Sequence, residues 1–446
     1  MKTETKNAQL EKIINQAKQN GAAQAEVLQI SYSEDPINFE NNKLKNLQSN
    51  EKSGIALRLI KNNKIGTSSS TDITSIEHIV KAAIEASEFG PEATFDFTSE
   101  KIDCNNIASH TINELPLEDL VERGTNAIEF LKTFHPDLLI SGGFDLVKGE
   151  TIYLNSNNIF GRRNKTIYST GFYANLIRGE DFLGVFDSKS SLEGFPSEKE
   201  IIDKIFEKLN YSKQNIKLET KKYPVIFTPN AVKSIFVSIF SVVLNGKAIQ
   251  QKISPLVDKL GELVFDKKLS FIEDPTIGTK KAAFDDEGIK TQKKDLIKNG
   301  VINSFYFDLS SGSRCLPQQI STGNGFKGGL ISSHSPSLTS IMIKNDERSN
   351  TYKNMIKNIK EGVIVDELLG AGQSNVLAGE FSTGIELGFK IENGEIKGRI
   401  KNCMISGNIF DVLKNIHEIS SDQEWLGGSA LIPAFLIHDM TVAGEN

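Results

Sequence analysis

Residues 223–247 read YPVIFTPNAVKSIFVSIFSVVLNGK, and this stretch decides the fold of the larger half of the chain. Its first five residues are a short apolar run of strand type. A helix capped by Asn230 follows and ends at Asn245-Gly246. Apolar residues cover most of the surface of this helix, namely Val232, Ile235, Phe236, Ile239, Phe240 and Val243. Such a helix is typical of a protein core, so we predict a strand and a buried helix at the start of a carboxy-terminal domain.

Glycines recur in the sequence beyond this helix, at spacings that suit short strands and tight turns. They include Gly362, Gly370, Gly372, Gly379, Gly384, Gly388 and Gly394. We therefore predict a strongly bent, mainly β carboxy-terminal domain over residues 222–445.

The amino-terminal sequence changes from a helical to a strand period. Apolar side chains recur at i, i+3, i+4 and i+7 from Leu10 onward, and Gly21 follows the last turn. The apolar period then becomes two, as in a strand with one buried face. Thr74 and Glu77 have the spacing of a capping box ahead of a second amphipathic helix. The pattern predicts a helix packed on an antiparallel sheet, as a first α+β domain over residues 1–95.

A second helix-and-sheet pattern follows. Apolar residues from Leu117 to Leu131 predict a helix, and strand-type segments come after it, with predicted turns at Gly149 and Gly161. We predict a second α+β region, a helix plus an antiparallel meander, over residues 110–215. The predicted fold class is α+β, with amino-terminal helix-on-sheet regions and a larger, glycine-rich, mainly β carboxy-terminal domain.

Composition narrows the function classes. The chain has 446 residues, 38% of them apolar and 24% charged, which is an ordinary balance for a folded protein. Its formal charge is −6, and its basic residues are scattered along the sequence. Nucleic-acid-binding proteins concentrate Lys and Arg on one face, so we expect no direct nucleic-acid ligand.

Cysteine usage and the apolar runs indicate a location. Cys104, Cys315 and Cys403 are odd in number and widely spaced, which fits neither a disulfide framework nor a CxxC zinc motif. We expect no secretory signal at the amino terminus, because it has no apolar core region. The longest apolar stretch, residues 235–244, is far short of the roughly 20 residues needed to span a bilayer. We predict a cytoplasmic protein without a membrane segment.

The common hydrolase motifs are incomplete in this sequence. The six histidines are too far apart to place two imidazoles on one helical face, namely His78, His110, His135, His334, His417 and His438. Residues 372–376 begin like a GxSxG elbow but lack its final glycine. The cysteines have no neighbouring residue that suggests an activated thiolate. Histidines that converge from distant positions remain an open alternative.

Residues 323–328 match GxGxxG formally. A phosphate-binding loop of this type needs a strand before it and a helix after it. The flanking QQIS and SSHSP segments suit neither element, so we interpret the match as a glycine-rich turn. Such a turn also lets another backbone approach closely.

Several short stretches, in their order along the chain, resemble the TldD/PmbA family. They are LRL at 57–59, KIG at 64–66, STD at 70–72, FDDEG at 284–288, LIKNGV at 296–301, STGN at 321–324, EGVIVDELLGAGQ at 361–373, AGEFS at 378–382, GFKIENGEI at 388–396, ISGN at 405–408 and MTVAG at 440–444. The resemblance covers nearly the whole chain. It implies a two-part α+β protein associated with bacterial peptide processing by a metalloprotease of two related subunits.

The resemblance also indicates which subunit type the chain is similar to. The catalytic, TldD-type subunit carries HExxxH on a helix and a cysteine near its carboxy terminus. The corresponding helix here holds none of these ligands and reads Val242, Val243, Leu244, Asn245, Gly246 and Lys247. Residues 422–429 contain no cysteine. The resemblance therefore implies a PmbA-type (TldE-type) subunit, for which we predict no catalytic residue, no metal ligand and no cofactor.

Such a subunit would pair with a TldD-like metalloprotease and help to hold an unfolded peptide, with a homodimer as a possible state of the chain alone. Strand addition would bind peptides with little sequence preference. The candidate peptide-binding residues lie in two glycine-bearing segments and are Thr322, Gly323, Asn324, Gly370 and Gly372. Two alternatives stay open: a non-enzymatic regulator of another protein such as DNA gyrase, and a stand-alone peptidase with a non-contiguous site. Whether the chain itself is an enzyme is left undecided.

Overall fold

A computed structural model describes residues 2–46, 48–102, 116–370 and 375–444. The helices, in chain order, are α1 Lys2–Gln19, α2 Ile76–Phe89, α3 Leu117–Lys132, α4 Glu198–Tyr211, α5 Pro229–Val232, α6 Ser238–Val243, α7 Gly246–Gln250, α8 Leu309–Ser313, α9 Tyr352–Lys357 and α10 Ile409–Val412. A π-helical turn spans Lys233–Val237 and a 3₁₀ turn spans Val376–Ala378. None of these described helices combines the length and the apolar run that crossing a bilayer requires.

The strands are β1 Gln24–Glu40, β2 Lys43–Asn46, β3 Asn50–Lys61, β4 Lys64–Ser70, β5 Leu139–Asn155, β6 Phe160–Arg178, β7 Asp181–Ser191, β8 Asn215–Ile216, β9 Lys221–Phe227, β10 Phe271–Glu273, β11 Lys294–Lys298, β12 Val301–Ile302, β13 Gly325–Lys327, β14 His334–Pro336, β15 Ile341–Ile343, β16 Glu361–Leu369, β17 Glu380–Glu392, β18 Glu395–Ile400, β19 Cys403–Asn408, β20 Glu418–Leu426 and β21 Ala430–Ala443. The fold is α+β, as predicted. We call α1–α4 with β1–β7 the amino-terminal unit, and everything from β8 onward the carboxy-terminal unit.

The amino-terminal unit is built on one antiparallel sheet. Its strand order is β4-β3-β1-β5-β6-β7, and β2 pairs with β1. The 17-residue β1 pairs with β3 on one side and with β5 on the other. The regions predicted at 1–95 and 110–215 therefore share a single sheet, and their description as two domains stays a prediction.

Helices α1 and α2 cover one face of this sheet with the predicted apolar residues. Leu10 and Ile13 of α1 and Val80 of α2 are buried against Val27 and Leu57 of the sheet. Gly21 ends α1 at a φ of 89°, a backbone conformation that glycine adopts without strain.

The predicted capping box at α2 is wrong. No side chain caps this helix, whose N-cap residue is Ser75. The Thr74 hydroxyl instead donates to Asp72 Oδ1 at 2.6 Å, because the preceding turn offers a nearer acceptor.

The turns predicted at Gly149 and Gly161 are also wrong. Gly149 lies opposite Lys165 and Gly161 lies opposite Tyr153, all within the long β5–β6 hairpin. A Cβ at Gly161 would stand 2.7 Å from Cζ of Phe284, so the glycine leaves room for an aromatic ring of the carboxy-terminal unit. Gly161 thus serves close packing rather than chain reversal, whereas a Cβ at Gly149 would meet only the Lys165 carbonyl, at 4.0 Å.

The carboxy-terminal unit contains a mixed sheet of twelve described strands. Its main order is β12-β11-β10-β15-β21-β9-β16-β17-β18-β8, with β19 pairing to β17 and β21 and with β20 pairing to β21. Strand β9 is central, parallel to β16 and antiparallel to β21. Phe236 belongs to the helical stretch that follows β9 and is fully buried. Its ring centroid lies 5.2 Å from that of Phe227 and 5.8 Å from that of Phe435.

The cap predicted at Asn230 is wrong by two residues. Thr228 is the N-cap of α5 and its side chain accepts a hydrogen bond from Ala231 N, while Pro229 occupies the first helical turn. Proline suits that position because its missing N–H would have no helical partner there. The helical stretch passes through the π-helical turn and ends at Val243, close to the predicted end.

We expect Phe236→Ala to lower the free energy of unfolding by about 3–5 kcal/mol, because the truncation leaves a cavity among aromatic rings. Guanidinium denaturation measures this change. Phe89→Ala is the matched control, since Phe89 is 90% exposed and its loss should change stability by less than about 0.5 kcal/mol. Equal effects of the two substitutions would contradict the assignment of this core.

Candidate functional site

Residues 242–247, which the resemblance aligns with the zinc motif, link α6 to α7. Asn245 is the N-cap of α7, and its Oδ1 accepts a hydrogen bond from Lys247 N at 2.9 Å. Its Nδ2 donates to the Pro336 carbonyl at 3.1 Å and to the Tyr306 hydroxyl at 3.3 Å. The side-chain amide is therefore engaged in holding the helix start and two loops together.

The other side chains of this segment offer no ligand group. Val243 and Leu244 are buried in the core, whereas Val242 and Lys247 are exposed. A Cβ at Gly246 would meet the Phe307 ring at 2.3 Å, so this glycine permits close packing. The segment thus contributes a capping amide and apolar packing, and no imidazole or carboxylate.

Two histidines that are distant in sequence do converge. The His417 and His438 rings are stacked with centroids 4.0 Å apart, at the β20–β21 pair. Burial, and then the neighbouring His417, lowers the pKa of His438. Across the described ranges, however, no group of three or more His, Cys, Asp or Glu side chains is arranged to hold a metal ion.

The described cysteines are packing residues. Cys315 and Cys403 are buried, with exposures of 7% and 2%, and the Cys403 thiol donates to the Lys401 carbonyl at 3.3 Å. The buried setting suits small apolar side chains better than reactive thiolates. Cys104 lies outside the described residues.

The predicted peptide-binding residues fall in different environments. Asn324 is fully buried, and its Nδ2 donates to Glu273 Oε1 at 2.8 Å. Lys294 Nζ donates to Asn324 Oδ1 at 2.9 Å and pairs with Glu273. The half-buried Thr322 hydroxyl accepts from Phe307 N at 2.7 Å. This part of the predicted surface is an internal hydrogen-bond network.

The remaining members of the predicted set are glycines. Gly323 is buried at a φ of 74°, and a Cβ there would stand 2.3 Å from the Lys290 carbonyl. Gly370 is exposed at the end of β16, and Gly372 lies outside the described residues. Residues 325–327 of the GxGxxG stretch form strand β13 of the β13–β14 hairpin, so the interpretation of the whole stretch as a turn is wrong for its centre. A contact between a peptide and this set of residues stays a prediction.

The strongest concentration of buried charge lies where the two units meet. Arg58 of β3 is 7% exposed, and its Nε donates to Glu26 Oε1 at 2.6 Å. Its Nη1 donates to Glu287 Oε1 of the carboxy-terminal unit at 2.9 Å. Tyr153 completes the group by donating to Glu26 Oε2 at 2.9 Å. Two stretches that carry the family resemblance, 57–59 and 284–288, are thus joined by one ion pair.

Burial and the neighbouring charges shift the pKa values of the residues in this group. Burial raises the pKa of Glu287 to about 7 and outweighs the opposite effect of Arg58. Burial by itself would lower the pKa of Arg58, because it disfavours the charged guanidinium. Glu26 and Glu287 outweigh this effect and raise the pKa of Arg58 above its ordinary value. Both oxygens of Glu287 accept hydrogen bonds, Oε1 from Arg58 and Oε2 from Leu309 N. The Glu287 carboxyl therefore links the two units. Because both of its oxygens already accept hydrogen bonds, it is poorly placed to act as a general base.

A cavity of about 460 Å³, here called the Arg58 cavity, adjoins this group. Its lining is mixed, with apolar and polar residues that include Leu57, Phe95, Leu330, Arg58, Lys327 and His334. Arg58 Nη2 is buried and makes no hydrogen bond within the described residues. A ligand atom that accepts hydrogen bonds, such as a carbonyl oxygen, would satisfy this donor.

A second buried ion pair joins the units on another side. Lys208 Nζ of α4 lies 2.6 Å from Asp366 Oδ2 of β16, beside a cavity of about 500 Å³. Thr228 donates to Asp366 Oδ1 at 2.7 Å, so the helix cap described above also orients this pair. The motif residue Asp366 thus has a structural role.

Local sequence patterns did not predict these ion pairs. Arg58, Glu287 and Asp366 all lie in the stretches quoted for the resemblance, but their partners are remote in sequence. The available signal was an arginine inside the otherwise apolar run IALRLI at 55–60. Such a run predicts a strand that is buried on both faces, and a buried arginine requires a counter-ion.

We expect Arg58→Met to lower the free energy of unfolding by about 3–5 kcal/mol at pH 7, because Glu26 and Glu287 would be left as buried, unpaired charges. The difference in unfolding free energy between the native chain and Arg58→Met should become smaller as pH falls from 7 toward 5. Protonation removes the buried charges, and carboxyls with a raised native pKa favour the folded state at lower pH. Guanidinium denaturation across this pH range measures both effects.

Lys199→Met is the control for Arg58→Met, because the Lys199–Asp203 pair is exposed and is worth less than about 1 kcal/mol. Adding Glu26→Gln and Glu287→Gln to Arg58→Met should recover part of the loss. A loss no larger than that of the control would show that the ion pair does not hold the units together.

Comparison with known proteins gives the family. A profile described as "PmbA/TldA metallopeptidase C-terminal domain" matches residues 220–444, and one described as "PmbA/TldA metallopeptidase domain 1" matches residues 25–87. The chain is similar to the metalloprotease PmbA of Escherichia coli O157:H7, with 28% identity over 51% of this chain and 47% of that protein. It is also similar to an uncharacterized protein of Methanocaldococcus jannaschii, with 24% identity over 91% and 93% of the two chains.

The aligned part spans about half the length of the Escherichia coli relative and 43% of a PmbA homologue of Haemophilus influenzae. Among solved structures, TldE from Thermococcus kodakarensis superposes with a TM-score of 0.87 at 20% identity, covering 98% and 100% of the two chains. A proposed modulator of a DNA gyrase from Thermotoga maritima superposes with a TM-score of 0.84 at 21% identity and the same coverage. These two similarities show a common fold. Because the carboxy-terminal profile covers half of the sequence, the chain belongs to the TldD/PmbA family.

Proposed function

We propose that this chain is a non-catalytic, PmbA/TldE-type subunit of a cytoplasmic metalloprotease complex that acts on unfolded peptides or small proteins. The proposal is carried by one observation. The segment that corresponds to the zinc motif of catalytic relatives holds Asn245, whose side chain makes three hydrogen bonds to the protein. These hydrogen bonds give Asn245 a role in the fold. The catalytic metal would then have to be bound by a partner subunit.

The family supports the association with proteolysis. Relatives in the PmbA branch are named metalloproteases, and the Thermococcus kodakarensis structure bears the name TldE. A TldD-like subunit is the partner that we propose, because it would supply the metal and the catalytic glutamate that residues 242–247 do not. A homodimer is the state proposed for the chain alone.

The surfaces of the sheets limit how a peptide could bind. At the β4 edge, Ile65 N donates to the Pro91 carbonyl at 2.9 Å. At the β7 edge, Arg399 Nη2 donates to the Phe182 carbonyl at 3.1 Å. Strand addition at these points would have to displace existing hydrogen bonds. An open sheet face, or exposed turns such as Gly328 and Gly370, would accept a peptide with less rearrangement.

A two-component peptidase assay tests this function. The purified chain alone should cleave no unfolded peptide above the buffer blank, whereas a mixture with a TldD-type partner should cleave it and should bind as a complex in size-exclusion chromatography. A chelator should abolish cleavage by the mixture, because the metal sits in the partner. Failure to associate with the partner, or failure to change its activity, would overturn the proposal.

The same materials test the alternatives. Zinc in the purified chain together with unaided peptide cleavage would favour a stand-alone peptidase. The Thermotoga maritima relative is described in terms of DNA gyrase, which gives the regulator hypothesis its support. Direct capture of purified gyrase by this chain, in the absence of any protease subunit, would favour that function.

A further inference from the structure

A cavity of about 390 Å³ between the two units is lined by positive charge. Strands β5 and β6 form one wall, and residues 280–281, 326–327 and 337–339 of the carboxy-terminal unit form the other. We call this cavity the basic pocket. The charged side chains described in its lining are all cationic: Arg163, Lys165, Lys280, Lys281 and Lys327. The formal charge of the whole chain is −6, so this concentration of positive charge is a local feature.

The strand register directs part of this set toward the carboxy-terminal unit. In the β5–β6 ladder, Thr151 lies opposite Arg163 and Gly149 lies opposite Lys165. Residues two apart on a strand share a face, so these four residues lie on the same face of the sheet. Arg163 identifies this face, because its Nη1 donates to the Phe284 carbonyl of the carboxy-terminal unit at 2.7 Å. Lys165 therefore projects into the space between the units.

Two of the five cations are held by protein groups. Arg163 pairs with Asp286, and its guanidinium lies 4.9 Å from the ring centroid of Phe284. The Lys327 ammonium donates to the Ser332 carbonyl. Both side chains add positive potential to the basic pocket, but their positions are fixed by these partners. We therefore do not count them among the groups that a ligand would have to neutralise.

The other three cations are not neutralised by the protein. In the part of the chain that the structure describes, no carboxylate pairs with Lys165, Lys280 or Lys281. Burial, and then the charges of Arg163 and Lys280, lowers the pKa of Lys165 to about 8. Asp286 acts in the opposite direction with a smaller effect. A bound anion would stabilise the charged form of Lys165 and offset the repulsion between the ammonium groups.

The size and the remaining lining of the basic pocket suit a small organic molecule. Its volume lies within the range of about 300–1,000 Å³ that is typical of small-molecule sites. Phe326 and Leu338 provide apolar surface, and Thr151 and Ser337 provide hydroxyl groups. A ligand with an apolar body and an anionic head group would match both the apolar surface and the excess of positive charge.

We propose that the basic pocket binds a small organic molecule with two or more negative charges, as in a phosphate ester or a dicarboxylate. Lys165 of the amino-terminal unit and Lys280 and Lys281 of the carboxy-terminal unit supply the ammonium groups. A singly charged ligand would leave two of these three groups without a counter-charge, so a doubly charged ligand matches the pocket better. This site goes beyond the proposed function, because it requires neither a peptide nor a protease partner.

Isothermal titration calorimetry with the full-length chain, at constant ionic strength, tests the inference. The three probes share a benzene ring and differ in charge: phenyl phosphate and phthalate are doubly charged at pH 7.5, and benzoate is singly charged. We expect at least one of the doubly charged probes to bind at least about tenfold more tightly than benzoate, because it forms additional charge-assisted hydrogen bonds. The tighter of the two identifies the head group. Equal affinities for all three probes, or no binding of either doubly charged probe, would overturn the inference.

Charge variants locate the binding site. Lys165→Gln with Lys280→Gln should weaken binding of the tighter probe by at least about tenfold, because two charge-assisted contacts are lost. Lys165→Arg with Lys280→Arg should retain most of the affinity, since the charges remain. Lys81→Gln removes an exposed lysine on α2 and should leave the affinity unchanged. An unchanged affinity in the double Gln variant would contradict the proposed site.

A variant that fills the cavity separates a ligand inside the basic pocket from one on the surface. A Cβ at Gly149 would meet only the Lys165 carbonyl, at 4.0 Å, so the space opposite Lys165 is open. Gly149→Val should weaken binding of the tighter probe by at least about fivefold with every lysine still present, because its methyl groups occupy this space. Valine suits a strand interior, so the midpoint of guanidinium denaturation should not fall. Binding equal to that of the native chain would place the ligand outside the pocket and would overturn the inference.

The pH dependence of phthalate binding tests the role of Lys165. Phthalate stays doubly charged from pH 7 to pH 9, whereas Lys165, which faces Arg163, Lys280 and Asp286, loses its proton around pH 8 in the unliganded chain. The affinity should therefore fall as pH rises across this range. The fall should be smaller in Lys165→Arg, because a guanidinium keeps its charge there. An equal fall in the native chain and in Lys165→Arg would contradict the assignment of Lys165 to the site.

Discussion

The buried guanidinium of Arg58, held between Glu26 and Glu287, is the contact on which the arrangement of the two units depends. An arginine inside a sheet is tolerated only where its charge and its donors are matched, and here one match comes from each unit. Separating the units would leave a buried cation with one carboxylate and would expose the other carboxylate. The Lys208–Asp366 pair repeats this arrangement on another side. Two such contacts resist rotation of one unit against the other better than apolar packing alone, because hydrogen bonds are directional.

This attachment creates the surfaces that matter for function. The Arg58 cavity takes residues from both units, and so does a second cavity, of about 390 Å³, that is lined by Lys165 and Lys280; Lys327 lines both cavities. Neither unit alone would contain these sites. Residues 242–247, by comparison, lie at the edge of the core, where the hydrogen bonds of Asn245 hold them to neighbouring segments. Residues 242–247 therefore have a structural role in this chain.

Local patterns predicted much of this fold. The strand and helix within 223–247, and the helices at the amino terminus, follow from apolar periods that decide which face is buried. Cap positions were less accurate, since Thr228 rather than Asn230 begins α5 and no side chain caps α2. The turn expected at Gly161 failed for another reason, because this glycine leaves room for the Phe284 ring. A glycine that makes room for a distant ring has the same local signature as a glycine that turns the chain.

The sequence by itself determined the fold class, the order of most helices and strands, and the family. These properties depend on residues within a few positions of one another or on the order of short motifs. Only the tertiary structure decided that Arg58 pairs with Glu287, 229 residues away, that Asn324 is buried in a hydrogen-bond network, and that Lys165 and Lys280 share one pocket. Contacts of this kind depend on how two separately patterned sheets pack, and that geometry has no local signature because the contacting residues are far apart along the chain.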